Sequence, residues 1–308
     1  MLHSAKEHIE EDNTAKEQEP ETTIPFSVLI SVYKKEKTEY LKQALQSVVD
    51  QTLRPTEIVI VKDGLLTKEL DDCIEDFQKE YPKLFKILAF KENRGLGLAL
   101  RDGVKACKYE YIARMDSDDI SKPDRFEKQF GYLQRHPETA LLGTWITEFS
   151  KDENKPDTVT KLPCIHQEII KFAKRRNPFR HVTVVFKKIA VIQSGNYRDF
   201  LWFEDYDLFV RILQKGYIAA NIPEYLVNVR ADKDMFARRG GWQYLKQDYK
   251  FQKQLLKTKF IGKTDFIINI TIRSIVRLIP NKLRSYFYKK FMRQKYFERV
   301  NNLWKNFQ

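Results

Sequence analysis

Between Phe26 and Arg114 short apolar runs alternate with amphipathic segments, and this alternation limits the possible folds more than any other feature of the chain. The run FSVLISVY, Phe26 to Tyr33, is apolar, β-branched and too short for a buried helix, so it reads as a strand covered on both faces. From about Glu39 to Asp50, Leu41, Ala44, Leu45 and Val48 recur at helical spacing. EIVIVK (Glu57 to Lys62) is a second strand, Lys68 to Glu80 a second helix and Phe85 to Phe90 a third strand. A glycine-containing turn then opens a helix at about Leu98 to Ala106, and the strand Tyr109 to Arg114 runs into Met-Asp-Ser-Asp-Asp. Such an order predicts right-handed βαβ crossovers and an α/β fold. Its sheet should be Rossmann-like, mostly parallel and flanked by helices, with the ligand site at the carboxyl ends of the strands.

Farther along, Phe126 to His136 reads as a helix, and Ala140 to Phe149 and Thr183 to Phe186 as strands. A polar connection, Lys151 to Lys161, separates these two strands. LWFEDYDLFVRILQKG continues as a helix that stops near Gly216, and Asn221 to Arg230 suits a last strand. The expected organisation is a flexible acidic leader (1–24), a catalytic domain (25–232) and a basic amphipathic helical extension (233–308).

The net charge of +13 follows this division. Lys233 to Gln308 holds 19 Lys+Arg against 4 Asp+Glu, or +15, so the remainder is close to neutral at −2. The leader has neither the positive start nor the apolar middle of a secretory signal. Cys73, Cys107 and Cys164 are odd in number and fit neither a disulfide framework nor a zinc site, so a reducing cytoplasm is expected. No window approaches eighteen apolar residues without a charge, which argues against a spanning helix.

Asp116, Asp118 and Asp119 stand together after the fourth strand. Carboxylates so close repel one another, and a hard divalent cation relieves them. The plain structural reading is an acidic turn whose Asp119 or Ser121 caps the next helix. Asp63, in VKDG, ends the second strand on the same expected edge. It suits a hydrogen bond to a base or ribose, or simply an Asp-Gly turn whose Gly64 allows close backbone approach. Arg94, Gly95 and Arg101 surround a helix start where N–H groups can hold phosphate. The glycine spacing there is neither that of the dinucleotide fingerprint nor that of the P-loop.

The blocks FSVLISVYKKEK, VKDG, NRGLGLALRDG, YIARMDSDD and LWFEDYDL resemble, in this order, those of family 2 inverting glycosyltransferases, which have the GT-A fold. Bacterial enzymes of capsule, exopolysaccharide and O-antigen assembly, including amylovoran-type transferases, are similar over about Pro25 to Arg230. The resemblance implies a metal-dependent transfer of a hexose or N-acetylhexosamine from a nucleotide sugar, by default a UDP-sugar, to a saccharide acceptor that can be lipid-linked. It assigns Val32, Tyr33 and Asp63 to the uracil and ribose, and Asp116 and Ser117 to the ribose and diphosphate. Asp118 would bind Mn²⁺ or Mg²⁺. Glu204 matches the acceptor side, and Asp205 the general base of a single inverting displacement. Trp202 is an acceptor platform or core, and His181 an acceptor-site residue or a structural histidine.

In the extension, Arg273 and Arg277 share a helical stripe. Beyond Pro280, basic residues alternate with Tyr286, Phe287, Tyr288 and Phe291. This composition suits an anionic membrane surface, with the enzyme peripheral on the inner face of the plasma membrane, or else helices packed on the catalytic domain. A nucleic-acid-binding protein acting through the tail is the reading from a different class. No nucleic acid is expected, because the basic charge lies outside the site-like motifs. A nucleotidyltransferase of similar architecture would use the same carboxylates and cation but would need no base at Glu204-Asp205.

Overall fold

The computed structural model describes residues 24–231, 241–278 and 294–295. The leader up to residue 23 and the alternating basic-aromatic stretch beyond Pro280, apart from 294–295, lie outside the described residues. The first half is the expected βαβ series: β1 (Phe26–Val32), α1 (Thr38–Val49), β2 (Glu57–Lys62), α2 (Lys68–Glu80), β3 (Phe85–Ala89), α3 (Leu96–Ala106) and β4 (Tyr111–Met115). Strands β3, β2, β1 and β4 lie side by side and parallel, with Ile30 of β1 opposite Ile60 of β2 and Met115 of β4.

Alternate residues of these strands feed two cores. Val28, Ile30, Ile58 and Ile60 pack with Leu41 and Leu45 of α1, Ile74 of α2 and Phe126 and Phe130 of α4 (Arg125–Arg135). Leu29, Val59 and Val61 face the other way, onto Leu100 and Val104 of α3 and onto Leu208 and Phe209 of α7 (Glu204–Gln214). Covering both faces is why these strands read as continuous apolar runs. Each fully buried aliphatic side chain contributes roughly 1.5–3 kcal/mol.

Past β4 the sheet becomes mixed. β5 (Ile120–Ser121) leads to α4 and then to the long β6 (Thr139–Phe149). The polar connection contains a short strand, β7 (Thr158–Thr160), and is followed by α5 (His166–Ala173). The region read as a strand from Thr183 begins as a 3-10 turn, His181–Thr183, and becomes β8 only at Val185–Lys187. There β8 pairs antiparallel with both β4 and β6. A short α6 (Lys188–Gln193) precedes α7, and β9 (Ile218–Arg230) starts earlier than expected and runs parallel to β6. Part of the chain's basic end, Gln294–Lys295, adds β10 beside β7.

Two helices of the extension follow, α8 (Trp242–Lys257) and α9 (Lys263–Leu278). Tyr244, Phe251 and Leu255 of α8 bury against Phe203, Tyr206 and Val210, so this part of the extension packs on the catalytic domain. The buried pair Asp207–Arg211 of α7 (2.7 Å) is tied to α8 by Gln254, whose amide donates to Asp207 at 2.7 Å.

Candidate active site

The carboxyl ends of β1, β2 and β4 bring Val32, Asp63 and Asp116 to one edge. Val32 is buried, and its carbonyl accepts from the Asp63 backbone N–H at 2.8 Å; Tyr33 is exposed. Asp63 is itself buried, and its carboxylate accepts from the backbone N–H groups of Arg94 (2.8 Å) and Gly95 (3.0 Å). The side chain expected to meet a base or ribose therefore organises the loop that opens α3. Gly64 permits a close approach, but to that same loop: a Cβ there would lie 2.7 Å from the Asn93 nitrogen, and its φ is +89°. Arg94 stacks on Phe90 at 3.6 Å and pairs with Asp102 at 2.9 Å, while Arg101 contacts the same carboxylate at 3.4 Å. Asp102, midway along α3, thus contacts both candidate diphosphate arginines.

At the acidic turn the oxygens of Asp116, Asp118 and Asp119 lie within 4.8 Å of one another. Asp116 pairs with Arg114, whose side chain is only 2% exposed. Asp119 is buried and accepts from the Arg230 backbone N–H at 2.7 Å. It fastens β9 to the turn rather than capping a helix; the residue before α4 is Asp124, which makes no side-chain cap, and Ser121 lies in β5. Ser117 donates to Glu36 at 2.5 Å. Among these four residues only the Asp118 carboxylate has no hydrogen bond or ion pair to another residue. Burial, then Asp116 and Glu36, push its carboxyl up to about 7. Three close carboxylates, with Asp118 and Asp119 both destabilised as anions by burial and by their neighbours, fit a hard divalent cation.

A second acidic group stands at the start of α7. Gly97 lets α3 approach it: a Cβ at Gly97 would meet the Arg198 carbonyl oxygen at 2.4 Å and Glu204 Cβ at 3.2 Å. Asp205 is held at both oxygens, by Asn177 Nδ2 at 2.7 Å and by the Tyr206 backbone N–H at 2.6 Å. Burial and then Asp205 push the Glu204 carboxyl up to about 8, with Asp116 adding to the rise and Arg114 opposing it. The two acidic groups thus act on each other, and Arg114 acts on both. Trp202, at φ 67°, is partly exposed and stacks on Tyr244 of α8 at 4.9 Å. His181 Nε2 lies 2.8 Å from the Tyr197 hydroxyl and its ring packs edge-on to Phe209, while burial, assisted by Arg114, holds the imidazole well below its ordinary value. Those contacts are structural, with the ring neutral.

Sequence reasoning missed Arg114, Arg125, Asn177 and Arg230. Arg114 had a visible signal: a lone cation inside the apolar strand YIARM needs a buried anion. Arg125, fully buried, donates to the Arg114 carbonyl at 2.8 Å and to Ser121 Oγ at 2.9 Å, bracing the acidic turn from beneath. Arg230 Nε donates to the Asp118 carbonyl at 3.1 Å.

The raised Glu204 carboxyl gives a stability test. Above the ordinary glutamate value of 4.5 the unfolded chain has lost this proton while the folded protein keeps it, so the group's contribution to stability falls as pH rises toward about 8. Glu204→Gln imitates the neutral form. Its melting temperature should match the parent's near pH 4.5 and exceed it increasingly up to about pH 8, measured without divalent ions. Parallel curves across this range would exclude a protonated Glu204.

A family profile described as Glycosyl transferase family 2 matches residues 27–199. The chain is 41% identical over 268 residues to the amylovoran biosynthesis glycosyltransferase AmsE of Erwinia amylovora, covering 86% of this chain and 98% of that protein. It is 36% identical over 272 residues to the UDP-Gal:alpha-D-GlcNAc-diphosphoundecaprenol beta-1,3-galactosyltransferase of Escherichia coli, covering 88% and 98% respectively. Among solved structures, the mannosyltransferase PcManGT of Pyrobaculum calidifontis, in complex with GDP-Man and Mn²⁺, superimposes with a TM-score of 0.59 at 16% identity, covering 85% of this chain and 72% of that one. At that identity the likeness bears on the fold alone.

Proposed function

Because this chain belongs to glycosyltransferase family 2, and is accordingly a glycosyltransferase of GT-A fold, we propose a specific reaction for it. It moves a hexose or N-acetylhexosamine from a UDP-sugar, with inversion, to a lipid-linked saccharide during assembly of a bacterial surface polysaccharide. The observation that carries this reading is the presence of two acidic groups close enough to interact, Asp116–Asp118 after β4 and Glu204–Asp205 at the start of α7, with the buried Arg114 paired to Asp116 and acting on Glu204 as well. A nucleotidyltransferase would have no use for the second group.

In this reading the donor lies along the carboxyl edge, its uridine over Val32, Tyr33 and the loop fixed by Asp63. Its diphosphate faces Asp116, Ser117, Asp118 and the start of α3, where Arg94, Gly95 and Arg101 supply N–H groups and positive charge. A divalent ion held by Asp118, when bound, neutralises the charge that develops on the departing nucleoside diphosphate. Asp205 takes the proton of the acceptor hydroxyl as that oxygen attacks the anomeric carbon from the opposite face. Asn177 and the Tyr206 N–H, donating to its two oxygens, fix its direction. Glu204, protonated at neutral pH, can donate a hydrogen bond to the acceptor, and Trp202 offers an apolar face beside it.

The relatives named above supply the donor and acceptor classes. One relative's name states UDP-galactose and a diphosphoundecaprenol acceptor. Among the described residues no helix is long and apolar enough to cross a membrane, so work on such an acceptor calls for attachment at the surface, through the C-terminal region on the cytoplasmic side.

Screening UDP-, GDP- and TDP-sugars with Mn²⁺ by thermal shift, and then offering the best donor with a lipid-diphosphate sugar, tests the proposal. One UDP-sugar should raise the melting temperature and yield a product of inverted anomeric configuration. Release of pyrophosphate from a nucleoside triphosphate and a sugar phosphate would replace it with the nucleotidyltransferase reading.

A further inference from the structure

The amphipathic character of α9 is turned inside out. Its polar stripe faces the protein: Asn269 bonds to the Lys174 carbonyl and to Gln252 at 2.8 Å each, and Arg273 and Arg277 clasp the buried Asp248 at 2.8 and 3.4 Å. Arg273 also donates to the Arg175 carbonyl at 2.7 Å. Outward it presents Ile267, Ile268, Ile272, Ile275 and Leu278, with Ile267 and Ile275 more than 60% exposed. A helix that has water on its outer face normally carries the reverse pattern, and a contiguous aliphatic face of this kind marks an interaction surface.

The apolar surface extends onto α8 through Trp242, 76% exposed, and Tyr249. Between the two helices lies a cavity of about 580 Å³, lined by Trp242, Leu245, Lys246, Tyr249, Ile270 and Ser274. Beside it Lys246, Lys250, Lys253 and Lys257 form an exposed stripe at intervals of one helical turn. The only acidic residues of α8 and α9 are Asp248 and Asp265, and both are held by arginines, Asp265 by Arg175 at 2.7 Å. The face therefore combines aliphatic side chains, an exposed Trp and unneutralised cations.

We propose that this α8–α9 face seats the protein on an anionic bilayer, with the isoleucines and Trp242 at the acyl boundary and the lysines among the headgroups. Charge selects this occupant over the others. A second copy would bring like lysine stripes together, and residues 279–308 carry eight Lys+Arg against one acidic residue. The leader has the right sign but offers little beyond Met1, Leu2 and Ile9 to cover the aliphatic face. Lying in the interface rather than spanning it also suits helices too short and too polar to cross. The Trp202–Tyr244 stack joins this face to the acidic pair of α7, so a seated enzyme would receive its acceptor beside Asp205. This last step, unlike the seat itself, rests on the lipid-linked reading.

The full chain should co-sediment with vesicles containing phosphatidylglycerol and far less with pure phosphatidylcholine, and added salt should weaken the binding. Ile272→Asp/Ile275→Asp, on an exposed face, should keep the parent's circular dichroism and melting temperature, yet bind phosphatidylglycerol vesicles about 100-fold more weakly. With a water-soluble acceptor sugar the variant should transfer as fast as the parent, and with the lipid-linked one it should slow. Undiminished vesicle binding by the folded variant would overturn the proposal in favour of the chain beyond Leu278. A parent dimer that the variant dissolves, without vesicle binding by either, would overturn it in favour of a second copy. Vesicle binding lost in the variant supports the seat even if neither protein transfers sugar, a result that would sink only the reaction assigned above.

Discussion

Replacing Asp205 by Asn should lower the transfer rate at least about 100-fold, since a positioned general base contributes about 10²–10⁴-fold, while leaving Mn²⁺-dependent donor binding intact. Asp205 lies in the first turn of α7, on a different element from the carboxylate cluster after β4, so the donor's metal-binding side should be spared. What changes is local. Asn177 Nδ2 donates to one oxygen of Asp205 and the Tyr206 N–H to the other, so an amide at position 205 must turn its own NH₂ toward one of these donors. That mismatch costs about 1–3 kcal/mol of stability and makes the melting temperature a needed control. Calorimetric titration with the UDP-sugar and Mn²⁺, alongside turnover, separates the two effects. Normal donor heat with turnover near zero is the expected result. Turnover within a few-fold of the parent's would move the base elsewhere.

The catalytic half was legible where one physical pattern dominates. Runs buried on both faces, such as Ile58 to Val61, cannot be much other than strands of a covered parallel sheet, and their order gave the carboxyl edge on which Asp63 and Asp116 sit. Roles within that edge were less legible, because a carboxylate's partner is a matter of distance rather than spacing. Asp63 and Asp119 look like ligand groups in sequence, yet their oxygens accept from backbone N–H groups of Gly95 and Arg230, the latter more than a hundred positions away. His181 likewise reads as a lone titratable group until Tyr197 is found against it. The inverted α9 defeats sequence reading for a related reason: which side of a helix is outside depends on Asp248, and nothing in α9 itself reveals that its arginines have a buried partner.

The second large effect is an inversion of rank. Asp118 shares its turn with Asp116 and Asp119, all within 4.8 Å, and Glu36 lies near enough to add to the crowding. Asp116 is compensated by Arg114, whereas burial and the neighbouring carboxylates destabilise the anions of Asp118 and Asp119, the latter despite the Arg230 N–H; of the three, only the Asp118 carboxylate has no hydrogen bond or ion pair to another residue. In the cation-free protein Asp118→Asn removes a desolvated like charge at almost constant volume, so the variant should melt higher than the parent. Adding Mn²⁺ with UDP-sugar reverses the order. A ligand at 100 times its Kd stabilises the parent by about 2.7 kcal/mol, and the variant, lacking the cation ligand proposed above, should gain almost nothing. Its transfer rate should fall at least about 100-fold, equivalent to about 2.7 kcal/mol of lost stabilisation in the transition state. Melting curves of both proteins in EDTA and in Mn²⁺ with donor test the whole argument. Equal ligand-induced shifts would remove Asp118 from the cation site, and a variant that melts lower in EDTA would show that the crowding at this turn is relieved by something other than a bound cation.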